Sequence, residues 1–265
     1  MEKAYYITYL TDLSKDFSSI GRLYVGDAYC DKNFLSELED GAVIDFLKSS
    51  QKDITLVTPM ASELLFEEIV GKIEYFILNF DSEIVVNDYW ILEYLIERGH
   101  QKIIWWTMMS WQDKDPSLAI FENSNLHSRL AIDNNCYKKY FMEIGITQIE
   151  IFNVQQWVGI TNLNEIKINL NYPNIIFSAT RYCPAKIIKD SWGIPHIPES
   201  CEWCRKTVSC AGKFDLYMID KKNQHDRRLD NHYYWNRQIY KNETLPENLK
   251  ISRLIFNHDL LPNGL

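Results

Sequence analysis

Long apolar runs are missing from this sequence, and with them a membrane-spanning helix. The most apolar stretch, "IIWWTMMSW", stops at Gln112 and Asp113, well short of the roughly 20 residues that cross a bilayer. Glycine (10) and proline (8) are scarce in 265 residues, while 46% of the chain is hydrophobic and 14% aromatic. That balance excludes collagen-like and disordered chains and predicts a compact globular protein. A surplus of positive charge is also missing. The formal net charge of −8 opposes a broad phosphate-binding face, so nucleic acid is not expected as a partner. The one basic stretch, "DKKNQHDRRLDNHYYWNRQ", interleaves Lys221, Lys222, Arg227, Arg228 and Arg237 with Asp220, Asp226 and Asp230, and reads as a solvated loop rather than an RNA-binding segment. The opening "MEKAYYITYLTDLSKDF" alternates polar and apolar residues and carries acids. It lacks the basic start and apolar centre of a secretory signal, and a cytoplasmic protein is expected.

What is present is a rhythm of short apolar runs and longer helical segments, the pattern of repeated βα units. "RLYV" (22–25) reads as a buried strand ending at Gly26, and the following "NFLSELEDGAVIDFLKSS" as helix that Gly41 divides into two short pieces. "DITLVTPM" and "ASELLFEEIVGKIEYFILNF" form the next strand and helix, with Ser62 a candidate N-cap. "SEIVVND" and "YWILEYLIERG" repeat the plan, with Gly99 at the helix stop. "QKIIWWTMM" follows as a strand, "DKDPSLAIFENSN" as a loop, "HSRLAIDNNCYKKYFMEIG" as a helix, and "ITQIEIFN" and "NIIFSATRYC" as strands. The first three strands start about thirty residues apart, the βαβ interval, which predicts a TIM-barrel-like (β/α) barrel in a single domain, 1–265. Beyond Cys183 the rhythm stops. Residues 184–250 read as a cysteine-bearing cap over one face of the barrel, and the tail ends in an apolar strand, "KISRLIF".

Residues just after barrel strands gather at one end, where such folds place their chemistry. Here these are Gly26, Asp27 and Cys30, then Thr58 and Pro59, Asn87 and Asp88, Asn153, and Arg181 with Cys183. Cys30 and Cys183, distant in sequence, are therefore expected to converge. "SCEWCRKTVSC" adds Cys201, Cys204 and Cys210. In a reducing compartment such clustering points to metal rather than to disulfides. Cys-x-x-Cys lets two thiolates from one turn reach one metal, and tetrahedral zinc or an iron–sulfur cluster needs four donors. Spacing alone leaves both open. Zinc would take Cys183, Cys201, Cys204 and Cys210 from one local segment, whereas a cluster that includes Cys30 would sit over the barrel mouth. Cys136, among helical apolar positions in "AIDNNCYKKYF", reads as a buried inert thiol.

Other candidates carry structural readings of equal or greater weight. Asp88 is placed to cap a helix, and Thr58, Asn87 and Asn153 are polar strand-end residues that could bind substrate or hold turns. Arg181 could hold a carboxylate or donate N–H groups beside sulfide, or make a surface ion pair. His196, in "GIPHIPES", competes as a ligand only for zinc and otherwise reads as an exposed loop residue. Trp105, Trp106 and Trp111 could wall an aromatic-ligand pocket or pack the core. No Gly-x-Ser-x-Gly or His-Glu-x-x-His occurs, so the sequence offers no support for peptidase chemistry.

Taken in order, "LYVGDAYCDKN", "ITLVTPMASE", "EIVVND", "FSATRYC" and "CEWC" resemble the U32 peptidase-like family, and most the members that act as a pair in anaerobic ubiquinone hydroxylation. The resemblance runs from about Leu23 to Arg253. It implies a TIM-barrel-like fold and a 4Fe–4S cluster held by Cys30, Cys183, Cys201 and Cys204, with Cys210 as the alternative ligand. It also implies a role in dioxygen-independent hydroxylation of a small aromatic or quinone-type substrate. The alternatives are a non-catalytic cluster- or zinc-bearing partner of another subunit, and hydroxylation of RNA bases. A related subunit or a second copy is expected as partner. The strand that usually precedes "LYVGD" is not recognisable, so the barrel is expected to be incomplete at its first strand.

Overall fold

The computed structural model describes residues 1–8, 11–106, 112, 114, 130, 134–154, 166–179, 188–189, 195–196, 211–219, 226–234, 237–247 and 249–258. Eight parallel strands close into a barrel: β1 (Glu2–Tyr6), β2 (Arg22–Gly26), β3 (Asp53–Val57), β4 (Glu83–Val86), β5 (Ile103–Trp105), β6 (Gln148–Phe152), β7 (Lys167–Tyr172) and, last in sequence, β14 (Ile251–Phe256). The helices are α1 (Asp31–Leu38), α2 (Gly41–Ser50), α3 (Phe66–Phe80), α4 (Tyr89–Glu97) and α5 (Asn135–Glu143). The expected barrel is therefore present.

Strand alternation divides the side chains into two cores, because successive residues point to opposite faces. Leu23, Val25, Ile54, Leu56, Ile84, Val86, Ile149, Ile151 and Leu254 join the helices' apolar residues in one buried cluster. Ala4, Tyr6, Tyr24, Val57, Val85, Ile104, Phe152 and Ile255 form a second, inside the barrel. Gly26 ends β2 at φ +109, and a Cβ there would lie 2.4 Å from the Val57 carbonyl oxygen. Only glycine fits that position without strain.

Several expectations are corrected. The barrel is not incomplete at its start: Glu2–Tyr6 pairs with β14 on one side and β2 on the other and closes it. "KISRLIF" belongs to the barrel rather than to a cap, since β14 lies between β7 and β1. The seventh barrel strand is "KINLNY" (β7), and β8 (Asn174–Ala179), the strand read in "NIIFSATRYC", leaves the barrel after Pro173. It pairs in a four-stranded antiparallel sheet of order β11–β12–β13–β8, where β11 is Ala211–Ile219, β12 is Asp226–Tyr234 and β13 is Arg237–Lys241. The mixed-charge stretch thus supplies β12 rather than a loop throughout. His196 falls on β10 (Pro195–His196), which pairs with β9 (Ile188–Lys189). Cys136 is exposed near the start of α5, where its N–H is capped by Asn134. Ser62 makes no capping bond, although Gly99, at φ +73, does follow the end of α4 as a C-terminal stop.

Ile175 and Ile176 of β8 and Ile239 of β13 are buried against the barrel's inner cluster. These residues of β8 and β13 thereby pack at the C-terminal end of the barrel.

Candidate functional site at the barrel mouth

The loop after β2 is braced by its own side chains. Asp27, buried, accepts from the Tyr29 N–H at 2.8 Å and from Asn33 Nδ2 at 2.8 Å. Cys30, half-buried, is the N-cap of α1, and its sulfur accepts from the Asn33 N–H at 3.4 Å. A sulfur that faces helix N–H groups is held where negative charge is favoured. Sequence reasoning placed Cys30 at this end of the barrel, and that is where it stands.

The remaining strand-end candidates separate by what their polar atoms already do. Thr58, fully buried, donates its hydroxyl to the Val85 carbonyl at 2.9 Å. Asn153 donates to the carbonyls of Asn242 and Thr244 at 3.0 and 2.9 Å, tying barrel to sheet. Asp88 caps α4 by accepting from the Trp90 N–H at 2.8 Å. Asn87 donates to the Ala28 carbonyl at 2.6 Å, but its buried Oδ1 has no partner. Beside it Trp106, 2% exposed, presents an indole N–H that is likewise unpartnered and packs edge-on against the Tyr29 ring at 5.8 Å.

Two further residues reach this end from the segment after β5. The Gln112 carboxamide both donates to the Phe152 carbonyl at 2.8 Å and accepts from its N–H at 2.7 Å, continuing the sheet with a side chain. Lys114 lies over the Phe152 ring, 5.1 Å from its centroid, and burial pushes its ammonium down to about 8. Neither was singled out as a site residue in the sequence, where Gln112 only ends the apolar stretch and Lys114 sits in what reads as a loop. Outside the mouth, the loops after β3 and β4 form an open cleft of about 490 Å³ lined by Ala61, Ser62, Glu63, Asp88, Tyr89 and Trp90.

Below the mouth the barrel interior is charged, which sequence reasoning also missed. Arg253 bonds Glu2 at 2.6 Å, Glu83 at 2.7 Å and the Tyr24 hydroxyl at 2.8 Å. Arg22 bonds Glu2 at 2.8 Å and lies 3.3 Å from Glu83. Burial alone would raise Glu83, but the bonds and charge of Arg253 hold it below the usual carboxylate range. Burial pushes Glu150 up to about 7 despite a bond with Tyr24 and the charge of Arg253, both of which act the other way.

Arg181, Cys183, Cys201, Cys204 and Cys210 lie outside the described residues. Among the described residues no group of three or more His, Cys, Asp or Glu is placed to hold a metal ion, and no described helix is long and apolar enough to cross a membrane. Compared with known proteins, the chain matches no family model, no curated protein and no solved structure.

Proposed function

We propose that this chain is an iron–sulfur protein of the U32-like kind, working in the cytoplasm as a component of a dioxygen-independent hydroxylation of a small aromatic or quinone-type substrate. The observation that carries the reading is the position of Cys30. It lies at the C-terminal end of a barrel strand, half-buried, with its sulfur turned toward backbone N–H groups. N–H donors to a ligating sulfur are one means by which proteins set a cluster's potential. A second support is the path of the chain. β8 is seated over the same mouth through Ile175 and Ile176, and Cys183 follows its last residue, Ala179, by four positions. Cys30, Cys183, Cys201 and Cys204 would hold the 4Fe–4S cluster, with Cys210 as the substitute.

The cluster would supply one-electron chemistry for inserting an oxygen atom from a donor other than dioxygen into a ring C–H bond, the donor losing that atom. The chain's own part is to hold the ring and exclude water. Ile175, Ile176 and Ile239 close the mouth, Tyr29 and Trp106 offer aromatic faces, and burial lowers the affinity of Lys114 for its proton, to a pKa of about 8. A related U32-like subunit is the proposed partner.

Iron and sulfide analysis of protein purified and reconstituted without air tests the reading. Iron and sulfide in equal amounts, at the ratio of one 4Fe–4S cluster per chain, are expected. Cys30→Ser, which keeps a capping acceptor for the Asn33 N–H, is expected to lose the cluster while remaining folded, and Cys136→Ser to keep it. Stoichiometric zinc without iron or sulfide would overturn it.

A further inference from the structure

The open cleft formed by the loops after β3 and β4 brings aromatic rings and carboxylates to one surface. Its lining holds Tyr89, Trp90, Glu63 and Asp88, with Ala61 and Ser62, and no basic residue. Tyr89 and Trp90 are 54% and 55% exposed, so each ring leaves about half its surface to solvent. Neither is loose. Tyr89 is braced edge-on by the fully buried Trp105 at 5.9 Å, and Trp90 by Phe66 at 6.4 Å. The oxygens are as open as the rings. The Ser62 hydroxyl makes no capping bond, and neither Glu63 nor Asp88 forms an ion pair among the described residues. Asp88 uses only Oδ1 on the Trp90 N–H.

We infer that this cleft binds a small organic cation, a guanidinium or primary ammonium group on a short carbon chain. An anion would meet two carboxylates, and the start of α4 does not attract one, because Asp88 already answers it with negative charge. A neutral apolar molecule would use the rings and gain nothing from the charges. A bare metal ion would ignore the rings, and no group of three or more His, Cys, Asp or Glu is placed to hold one among the described residues. An organic cation uses both halves of the lining. Its charge is drawn to a ring face within about 6 Å of the centroid, and its N–H groups donate to carboxylate oxygens. A planar guanidinium does both at once. The cleft's volume of about 490 Å³ falls within the roughly 300–1,000 Å³ of small-ligand sites. β3 and β4 are paired neighbours, and the loops at their C-terminal ends are where this architecture places ligand sites. The inference goes beyond the function proposed above and does not rest on a cluster.

The test titrates full-length protein, labelled with ¹⁵N at its eight tryptophans, with butylguanidinium, butylammonium, 1-pentanol and pentanoate. The indole N–H signal that Trp90→Phe deletes identifies Trp90. Butylguanidinium is expected to move that signal, to bind about tenfold more tightly than pentanol, and to weaken as salt is raised; pentanoate should bind least. Asp88→Asn keeps a capping side chain and Glu63→Gln changes an exposed residue, so the double variant should fold, lose about tenfold in affinity for the cation and bind pentanol as before. Trp90→Leu should weaken the cation about threefold. A cation that binds no more tightly than pentanol, leaves the Trp90 signal in place, or keeps its affinity in the double variant overturns the site. If a capped arginine peptide bound and butylguanidinium did not, the small-molecule site would fall and the cleft would belong to a protein partner.

Discussion

Asn153 and Asn242 bond each other in both directions. The Asn153 amide donates to the Asn242 carbonyl at 3.0 Å, and the Asn242 amide donates back to the Asn153 carbonyl at 2.9 Å. Asn174 and Asn257 repeat the arrangement, with two bonds of 2.8 Å between side-chain amides and backbone carbonyls and a third of 2.9 Å from the Asn174 N–H. In both places a strand of the barrel ends where the antiparallel sheet begins, and carboxamides satisfy backbone groups that no ladder reaches.

Removing one of these amides should loosen the sheet from the barrel. Asn153→Ala deprives two carbonyls of their donor and is expected to destabilise the protein by about 1–3 kcal/mol. Asn174→Ala should cost a similar amount. Urea unfolding reads the loss, and limited proteolysis should show faster cleavage between β11 and β13 than within the barrel helices. If both variants were as stable and as protease-resistant as the wild type, the paired amides would not be what fastens the sheet.

The outer face of this barrel was legible in the sequence and its inner face was not. Ile54, Leu56, Ile84 and Val86 read as strands because they pack on helices whose apolar period is equally plain. "EKAYY" escaped notice because two of its five residues, Glu2 and Lys3, are charged, yet Glu2 bonds the two buried guanidinium groups. In "KINLNY", Asn169 and Asn171 are buried strand residues, but asparagine is a turn residue by composition. A polar barrel interior therefore hides its own strands. β12 was misread for a related reason: interleaved charge describes a solvated loop and a strand of an antiparallel sheet equally well. Cys30, by contrast, was found through its position after a strand-ending glycine.

Arg253 should prove the most sensitive charge in the molecule. Its removal takes a donor from each of Glu2, Glu83 and the Tyr24 hydroxyl and leaves Arg22 as the remaining guanidinium beside the two carboxylates. Breaking a buried pair from one side typically costs about 3–5 kcal/mol. Arg253→Met is expected to lose that much in urea unfolding, and adding Glu83→Gln should restore part of it by removing one of the stranded charges. A double variant no more stable than Arg253→Met alone would show that Glu83 is not the group Arg253 compensates.

Glu150 should make stability fall as pH rises. The groups that face it are Tyr24 on β2, Arg253 on β14, Glu83 on β4, and the uncharged Asn169 and Asn171 on β7. With Arg22 and Arg253 already matched by Glu2 and Glu83, a charged Glu150 would be surplus. Its folded-state value, pushed up by burial to about 7, lies above the ordinary 4.5. The folded state therefore holds this proton more tightly than the unfolded chain, and the associated stability is lost between about pH 4.5 and pH 7. The shift corresponds to roughly 3 kcal/mol. Glu150→Gln removes the titration, so the variant should gain on the wild type by up to about that amount between pH 5 and pH 8. Comparing the two proteins cancels the opposite contribution of Glu83, and a gap that did not change with pH would refute the assignment.

Lys114 offers a chemical readout of the mouth itself. Its amine is half-buried over the Phe152 ring, and burial lowers it from the ordinary 10.5 to about 8. An amine that gives up its proton at lower pH is nucleophilic earlier, so an acylating reagent should label Lys114 half-maximally near pH 8, below the range of an ordinary lysine amine. Partial burial will slow the absolute rate, so the measurement is the pH midpoint by mass spectrometry rather than the extent of labelling. Should Lys114 titrate with the exposed lysines, the amine is hydrated and has no special access to a proton at neutral pH, and its part in the proposed chemistry falls with it.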